Sequence, residues 1–398
     1  MGGWHRYCAI CGGPLNLFDV EFANPAALAN LPKHAALNER RLREEKPMGW
    51  EEEMKKFDHA TLDASYQYDP AVLDKTDIEW LGFCRALGRC YEELENGKPE
   101  YGKGYITRRG TYGLYGEFVI SRDESENESS DADIDPNDPL QDSYECYEHG
   151  ADEDGIVFPF HETCFSILAL AIYDEPTPTR IDKEAMYTAM KVFNDPHGHG
   201  NYLELDYGMG EQEQYWTCYH GEEYVVCDPA LKNNLISRLL PLFPPPAPKP
   251  IIGLSLNHKV RSDPFSKLPY DILLTIFPYL SPTSALALMC ASWHVHTQTR
   301  SFKFWEWMIR TRPLKWFPEV AEILEKLVEN ISGEMRDVEA RRLFLWAEFA
   351  TVQTRDWTVT GPLMGIANRR RIMKAIQPIV PVYLAELQKA EAGQNGSE

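Results

Sequence analysis

The pattern of apolar and polar positions divides the chain into segments that are expected to fold differently. Apolar residues recur every three or four positions across residues 77–94, which predicts a helix. Residues 105–120 alternate aromatic and polar side chains around glycines, which predicts one or two strands. Residues 158–172 predict a short strand that leads into an apolar helix, and residues 180–194 predict another helix. Aromatic residues between glycines predict further short strands within residues 202–228.

The breaks between these segments suggest how the chain is divided into domains. Residues 242–250 are rich in proline, which favours an extended conformation and predicts a semi-rigid linker. Beyond residue 263 the pattern is helical up to a polar tail. The predicted fold class is α+β, with a mixed α/β N-terminal domain followed by an all-helical half. The predicted boundaries are 1–122 and 155–241 for the N-terminal domain, 123–154 for an insert, 242–264 for the linker, 265–312 for a helical module and 313–398 for C-terminal helices with a disordered tail.

The predicted insert accounts for most of the net charge of the chain, which is −21 from 61 acidic and 40 basic residues. Residues 123–154 contain 14 acidic residues and no Lys or Arg, which predicts an acidic disordered loop. The acidic balance argues against nucleic acid or an anionic membrane as the partner, because both select clustered Lys and Arg. The longest apolar run, residues 164–173, is half the length of a membrane span. With no export signal at residues 1–13, a cytoplasmic and/or nuclear protein is expected.

The helical module begins with the sequence FSKLPYDILLTIFPYLSPTSALALMCASW at residues 265–293. Pro269 suits the first turn of a helix, and Ser281 with Pro282 suits the cap and first position of the next one. Pro278 predicts an early end of the first helix. This run resembles the F-box, whose consensus contains Leu-Pro, an acidic residue, Ile-Leu, Ile-Phe and Tyr-Leu. The matching residues are Leu268, Pro269, Asp271, Ile272, Leu273, Ile276, Phe277, Tyr279, Leu280, Ser292 and Trp293.

The resemblance implies a binding module and no enzymatic activity. An F-box binds a Skp-type adaptor and thereby brings a protein substrate to a cullin–RING ubiquitin ligase for degradation. The protein is therefore expected to be a substrate-recognition adaptor, with an unknown protein substrate. The adaptor-facing positions of the family correspond to Leu268, Pro269, Ile272, Leu273, Ile276, Leu280 and Leu286. The alternatives are an ordinary amphipathic helix pair in a core, or a metal-stabilised interaction scaffold that does not act in ubiquitination.

Cysteine and histidine residues in the N-terminal domain have the spacing of metal ligands. Cys8 and Cys11 form the Cys-x-x-Cys-Gly pattern of a zinc knuckle. His161 and Cys164 lie three residues apart at a predicted helix start, so both can point at one ion. The four residues predict a closed structural zinc site, because four protein ligands leave no position for water. The alternative is reduced cysteines around a hydrogen-bonded histidine. The two motifs together resemble fungal F-box proteins of this architecture.

Two other groups of residues suggest further chemistry. Cys218 and His220 would face the same side of a predicted strand, which allows the hypothesis of a Cys–His hydrolase. The sequence contains no Gly-rich phosphate loop, serine-hydrolase elbow or HExxH motif. Residues 368–372, NRRRI, resemble a segment near the C-terminus of fungal F-box proteins as a group. Their arginines are predicted to be solvated or ion-paired at the start of a final helix, and the alternative is a nuclear signal.

Overall fold

The protein, seen in a computed structural model, divides into two units. We call residues 1–230 together with 367–398 the N-terminal unit, and residues 231–366 the helical unit. The structure describes residues 5–33, 64–93, 99–113, 116–121, 135–147, 156–194, 201–212, 214–230, 235–245, 259–260, 262–311, 314–329, 331, 334–353 and 359–395.

An antiparallel sheet lies at the centre of the N-terminal unit. Its strands are β1 (Cys84–Glu93), β2 (Pro99–Ile106), β3 (Gly110–Tyr112), β4 (Glu117–Ile120), β5 (Ser143–Glu145) and β6 (Phe158–His161). The strand order is β2-β1-β3-β4-β5, and β6 also pairs with β1. In this register Cys84 lies opposite Gly110 on one side and His161 on the other. The start of β1 therefore lies beside the end of β6.

Helices account for the rest of the regular structure. They are α1 (Pro25–Leu28), α2 (Glu162–Tyr173), α3 (Lys183–Lys191), α4 (Leu235–Leu239), α5 (Tyr270–Ile276), α6 (Pro282–Ala291), α7 (Trp293–Gln298), α8 (Phe302–Arg310), α9 (Glu319–Val328), α10 (Glu334–Ala350), α11 (Leu363–Ala375) and α12 (Ile379–Asn395). The α+β fold class predicted from the sequence is confirmed. Among the described residues, no helix is both long and apolar enough to span a membrane.

Several elements of the N-terminal unit lie where the apolar pattern places them. Strand β6 leads directly into the apolar helix α2, and α3 falls inside the predicted residues 180–194. The side chain of Asp182 caps α3 by accepting a hydrogen bond from Ala185 N at 2.8 Å. Tyr383 of α12 lies against the same region, because its hydroxyl is 2.7 Å from that of Tyr173. The last helix of the chain is thus part of the N-terminal unit.

The helix predicted for residues 77–94 is wrong. Short 3-10 turns run as far as Gly82, and strand β1 follows. Cys84, Ala86 and Leu87 are all buried, so the strand does not show the alternation of a sheet with one wet face. The register also shifts between Arg89 and Tyr91, which interrupts the period of two. The combination produces a spacing that imitates a helix.

The strands predicted within residues 202–228 are also wrong for the residues that the structure describes there. This segment consists of turns, extended backbone and a 3-10 turn at Glu223–Val225. Two of its aromatic side chains, Tyr207 and Trp216, are buried, and they pack onto the N-terminal segment. Tyr207, for example, donates its hydroxyl hydrogen bond to Ala9 O at 2.9 Å. Backbone bonds from His5 N to Gln214 O and from Tyr7 N to Asn201 O join the same two segments.

The acidic insert predicted as disordered is ordered over residues 135–147, where it contributes strand β5. Asp135 and Asp138 are buried and cap backbone donors of the sheet. Asp135 accepts from Ile106 N at 2.8 Å, and Asp138 accepts from Arg108 N at 3.2 Å. These carboxylates therefore belong to the fold, which composition alone does not reveal. The other residues of 123–154 lie outside the described part of the chain.

The helical unit has an aromatic and aliphatic interior. Phe277 packs edge-on against Phe304, with ring centroids 5.0 Å apart, and Trp305 packs against Phe344. The unit starts at residue 231, ahead of the predicted linker. Phe243 at the start of that linker packs against Trp346, with ring centroids 5.7 Å apart. Residues 246–258 and 261 of the predicted linker 242–264 lie outside the described residues.

Candidate metal centre and adaptor-binding face

A tight turn places the first pair of candidate ligands. Cys8 N donates to Gly13 O at 2.9 Å, and Gly12 N donates to Cys8 O at 2.8 Å. Gly12 has a φ of +69°, and a Cβ at this position would lie 2.6 Å from the ring of Tyr207. Glycine is therefore required here both by the left-handed backbone and by the space. The turn folds Cys11 back toward Cys8.

The second pair lies at the junction of β6 and α2. His161 is the last residue of β6 and the N-cap of α2, and Cys164 lies in the first helical turn. A backbone hydrogen bond from Ala9 N to Pro159 O, at 2.8 Å, joins the turn to β6. This contact thus brings together two pairs that are about 150 residues apart in the sequence.

The four candidate ligand atoms form one buried group. The Sγ atoms of Cys8, Cys11 and Cys164 and a ring nitrogen of His161 all lie within 4.8 Å of one another, and all four residues are fully buried. His161 Nδ1 is 3.4 Å from Cys11 Sγ and 3.6 Å from Cys164 Sγ. With Zn–S distances of about 2.3 Å and Zn–N distances of about 2.0 Å, ligands of a tetrahedral ion lie about 3.5 Å apart. The distances suit a tetrahedral metal ion.

Hydrogen bonds around the group orient its donors. His161 Nε2 lies 2.9 Å from Pro14 O, and a carbonyl oxygen only accepts, so Nε2 holds the proton. This tautomer leaves the lone pair of Nδ1 facing the three sulfur atoms. Gly13 N also donates to Cys11 Sγ at 3.3 Å, which suits a sulfur that carries negative charge.

The electrostatics of the group favour a thiolate. Burial opposes ionisation of Cys8, but hydrogen bonds with Cys11 and Cys164 hold its pKa well below the usual value. Burial and hydrogen bonds with Cys11 and Cys8 raise the pKa of Cys164. A divalent cation binds to such a group by replacing its remaining protons. Cys84 lies beside the group and stays a neutral thiol, since burial raises its pKa to about 12.

The buried side chains of α11 were not predicted as part of this region. Arg371, which the sequence suggested would be solvated or ion-paired, is buried and donates from Nη1 to Cys11 O at 2.7 Å and to Tyr207 O at 2.9 Å. Asn368 accepts from Arg371 Nη2 at 2.8 Å and donates to Cys227 O at 2.7 Å. The prediction of solvated or ion-paired arginines at the start of a final helix is therefore wrong for Arg371 and for Arg369, which is also buried, and the segment lies inside α11, which α12 follows. Only the i, i+3 spacing of Asn368 and Arg371 could have suggested a shared face.

The proposed Cys–His pair is not formed. Cys218 Sγ accepts from Glu21 N at 3.4 Å and lies 3.7 Å from Asp19 O. His220 instead pairs with Glu223, with Nδ1 and Oε1 at 3.4 Å. Burial raises the pKa of Cys218 to about 11, which is the wrong direction for a nucleophilic thiol.

In the helical module the end of α5 and the start of α6 are where the sequence predicts them, whereas Pro269 is the N-cap of α5 and precedes its first turn. Helix α5 ends at Ile276, and Pro278 lies in the 3-10 turn that follows. Ser281 caps α6 by accepting from Ser284 N at 3.1 Å, and Pro282 is the first helical residue. Residue types that cap and interrupt helices thus act here as local geometry requires.

An aspartate ahead of the first helical turn holds this module together. Asp263 accepts hydrogen bonds from Phe265 N at 3.0 Å, Ser292 Oγ at 2.8 Å and His294 N at 2.9 Å. The bond from His294 N is the main reason that the pKa of Asp263 lies below its usual value. The residue before the first turn is thereby tied to the start of α7.

The predicted adaptor-facing residues differ in exposure. Pro269 and Ile272 are exposed, and Ile272 keeps 41% of its surface accessible. Leu273 is fully buried and in this conformation offers no surface to a partner, because it faces the interior of the module. The remaining predicted positions are half-buried: Leu268, Ile276, Leu280 and Leu286. The exposed and half-buried residues are thus available for contact with a partner.

Comparison with known proteins adds one family assignment. Residues 265–307 match the F-box domain. No curated protein and no solved structure matches the chain. The F-box resemblance is confirmed for these residues, whereas the resemblance to fungal proteins and the meaning of the N-terminal cysteine motif stay predictions.

Proposed function

We propose that this protein is a substrate-recognition adaptor that binds a Skp-type linker protein through its F-box and brings a protein substrate to a cullin–RING ubiquitin ligase. The match of residues 265–307 to the F-box domain is the observation on which the proposal rests. The exposed Ile272 supports it, because an apolar residue left on the surface of a small helical module is typical of a partner-binding helix. The N-terminal unit would hold the substrate.

Binding to a purified Skp-type adaptor tests the proposal. Ile272→Asp is the variant of choice, since its side chain is exposed and the change does not open a core. Leu384→Asp on α12 is a matched control, because Leu384 is also 41% exposed but lies in the N-terminal unit. We expect the wild type and Leu384→Asp to bind alike, and Ile272→Asp to bind at least about 30-fold more weakly, as for a buried interface residue. No binding by the wild type, or equal binding by both variants, would refute the proposal.

We also propose that Cys8, Cys11, His161 and Cys164 bind one structural zinc ion. The donor set and the 3.4 and 3.6 Å separations from Nδ1 to sulfur support this proposal. Bound zinc would act as a closed cross-link between the turn and α2, with no open coordination position. Metal analysis of the purified protein should find about one zinc per chain, and Cys11→Ser should lose it whereas Cys290→Ser, at an exposed cysteine, should keep it.

The surroundings of Cys218 favour a protein that positions a substrate and carries out no catalysis. The raised pKa of Cys218 and the pairing of His220 with Glu223 count against the hydrolase hypothesis. A thiol-reactive probe that selectively labelled Cys218 at neutral pH would support a hydrolase instead. As an adaptor for ubiquitin ligation, the protein would act in the cytoplasm and/or the nucleus. A scaffold that does not act in ubiquitination is separated from this function by the adaptor-binding measurement.

A further inference from the structure

A cavity of about 470 Å³ in the N-terminal unit has the lining of a cation-binding site. Three aromatic residues line it, Tyr66, Trp216 and Tyr219, together with the acidic residues Glu21 and Glu211. Its volume falls within the range of about 300–1,000 Å³ that small ligand sites occupy. Neither the metal ligands nor the F-box residues belong to this lining.

The residues that line the cavity belong to an acidic part of the chain. No Lys or Arg is among the described residues that line it. Glu21 accepts a hydrogen bond from the neutral side chain of Gln67 at 3.1 Å. The forty residues 192–231, which supply most of the lining, contain eight acidic residues and no Lys or Arg. A positively charged ligand would meet both carboxylates and aromatic faces, which attract cations through their ring quadrupoles.

The walls of the cavity are fixed by the fold before any ligand binds. Gln212 is buried and holds Thr217 by two hydrogen bonds, at 2.7 Å to its N–H and 3.1 Å to its carbonyl oxygen. Tyr219 donates its hydroxyl hydrogen bond to Glu211 O at 2.9 Å, and a Cβ at Gly210 would collide with its ring. Trp216 is backed by Tyr7, with ring centroids 5.8 Å apart. Preformed walls lower the entropic cost of binding.

The rim differs from the walls. Tyr66 is 60% exposed, and Glu21 and Glu211 are exposed as well. Cys218, which also lines the cavity, is almost fully buried with a pKa raised to about 11 and supplies no reactive thiolate. The cavity therefore offers recognition of charge and shape without a chemical step.

We propose that this cavity binds the cationic side chain, lysine or arginine, of a protein substrate. The inference rests on the proposed function, because it assigns the cavity as the substrate-recognition site of the adaptor. The ammonium or guanidinium group would lie between the aromatic rings and balance Glu21 and Glu211. Basic segments would be selected over acidic or neutral ones for the same reason.

Binding of short capped peptides to the full-length protein tests the inference. The peptides share a flexible neutral frame and differ at one central residue: lysine, trimethyl-lysine, arginine, or norleucine as the neutral analogue of the lysine stem. We expect at least one cationic peptide to bind about 10-fold more tightly than the norleucine peptide. Tyr66→Ala and Glu211→Gln should each weaken that binding about 3- to 10-fold. The order of the three cationic peptides identifies the preferred cation.

Matched variants and a second readout make the outcome decisive. Tyr215→Ala and Glu117→Gln change an exposed aromatic and an exposed carboxylate outside the cavity and should leave peptide binding unchanged. Equal binding of the norleucine peptide, no binding of any peptide, or no effect of Tyr66→Ala and Glu211→Gln would overturn the inference. The Skp-type adaptor is measured with the same protein samples. Adaptor binding without peptide selectivity refutes only the cavity, whereas selectivity without adaptor binding refutes the proposed function.

Discussion

The two units of the protein use their chemically distinctive residues in opposite ways. The N-terminal unit turns thiols, an imidazole and a guanidinium group inward, where Cys8, His161 and Arg371 are buried. The interior of the helical unit is mainly aromatic and aliphatic, and Ile272 stays on its surface. Reactive residue types are thus buried in one unit, and an unreactive residue is exposed in the other. In this protein the exposure of a residue, more than its chemical class, therefore indicates how the residue contributes.

The largest expected effect comes from breaking the buried group of the N-terminal unit. Removing zinc with a chelator, or changing Cys11→Ser, should reduce the free energy of unfolding of this unit by roughly 5 kcal/mol or more, because structural zinc contributes directly to folding. Urea unfolding followed by tryptophan fluorescence and circular dichroism measures the loss. Binding of the Skp-type adaptor should persist, because the F-box lies in the other unit.

The exposed Cys290 provides the matched control for this prediction. Cys290→Ser should change the free energy of unfolding by less than about 0.5 kcal/mol, as is usual for a surface substitution. If Cys11→Ser were as stable as Cys290→Ser, the buried group would be a set of reduced thiols without a metal. The contrast between the two units would then rest on packing alone.

A smaller effect is expected at Arg371, and measuring it separates the contribution of the arginine to stability from that of the four candidate metal ligands. Arg371→Met should lower the free energy of unfolding by about 3–5 kcal/mol, since it leaves the carbonyl oxygens of Cys11 and Tyr207 buried without their donor. The zinc content should fall, or a chelator should remove the zinc more easily, because the carbonyl of Cys11 belongs to the turn that holds two of the candidate ligands. Chemical denaturation and chelator competition measure the two effects.

Arg370 is the natural control for Arg371, because it directly precedes Arg371 in the same helix and its side chain is only half-buried. Arg370→Met should reduce the free energy of unfolding by less than about 1 kcal/mol. If both variants lost the same free energy of unfolding, the loss would come from removing an arginine from this helix in general. The hydrogen bond from Arg371 to Cys11 O would then contribute nothing specific.

The sequence revealed those features whose residue types are restricted by local geometry or by ligand chemistry. Cys8, Cys11, His161 and Cys164 could be grouped because few side chains bind zinc and the two members of each pair are only three residues apart. Pro278 and Ser281 were placed correctly since helix ends select such residues. Arg371 could not be assigned, because its partners are backbone carbonyls at residues 11 and 207, and carbonyls have no sequence signature.

Strand β1 and the acidic insert show a second limit. In β1 both faces are buried and the register shifts, so the periodicity that identifies a strand is absent. In the insert, Asp135 and Asp138 stabilise the sheet through backbone donors, although composition suggested a solvated loop. Leu273 similarly fits the F-box pattern, yet only the structure shows that it faces inward. Each case depends on contacts made by residues distant in the chain.

The smallest expected effect concerns a charge pair at the surface of the N-terminal unit. His220 is 40% exposed and pairs with the buried carboxylate of Glu223, which raises the pKa of the histidine and lowers that of the glutamate. Because the pKa of His220 is raised on folding, the pair stabilises the protein fully below the usual histidine pKa of about 6.5 and loses its effect as the pH rises through the raised value. At about pH 5.5, the wild type should therefore exceed His220→Gln in free energy of unfolding by less than about 1 kcal/mol. At about pH 9 the two should be equal.

Comparing the two proteins at each pH cancels the titration of the candidate metal ligands, which both proteins share. In a Glu223→Gln background the difference at low pH should disappear, because the histidine then lacks its partner. A difference that grew with pH would have the wrong sign for this pair. A difference of several kcal/mol would instead place His220 among the groups on which the fold depends. Stability would then be determined by surface pairs as well as by the buried cysteine and histidine group, contrary to the comparison of the two units.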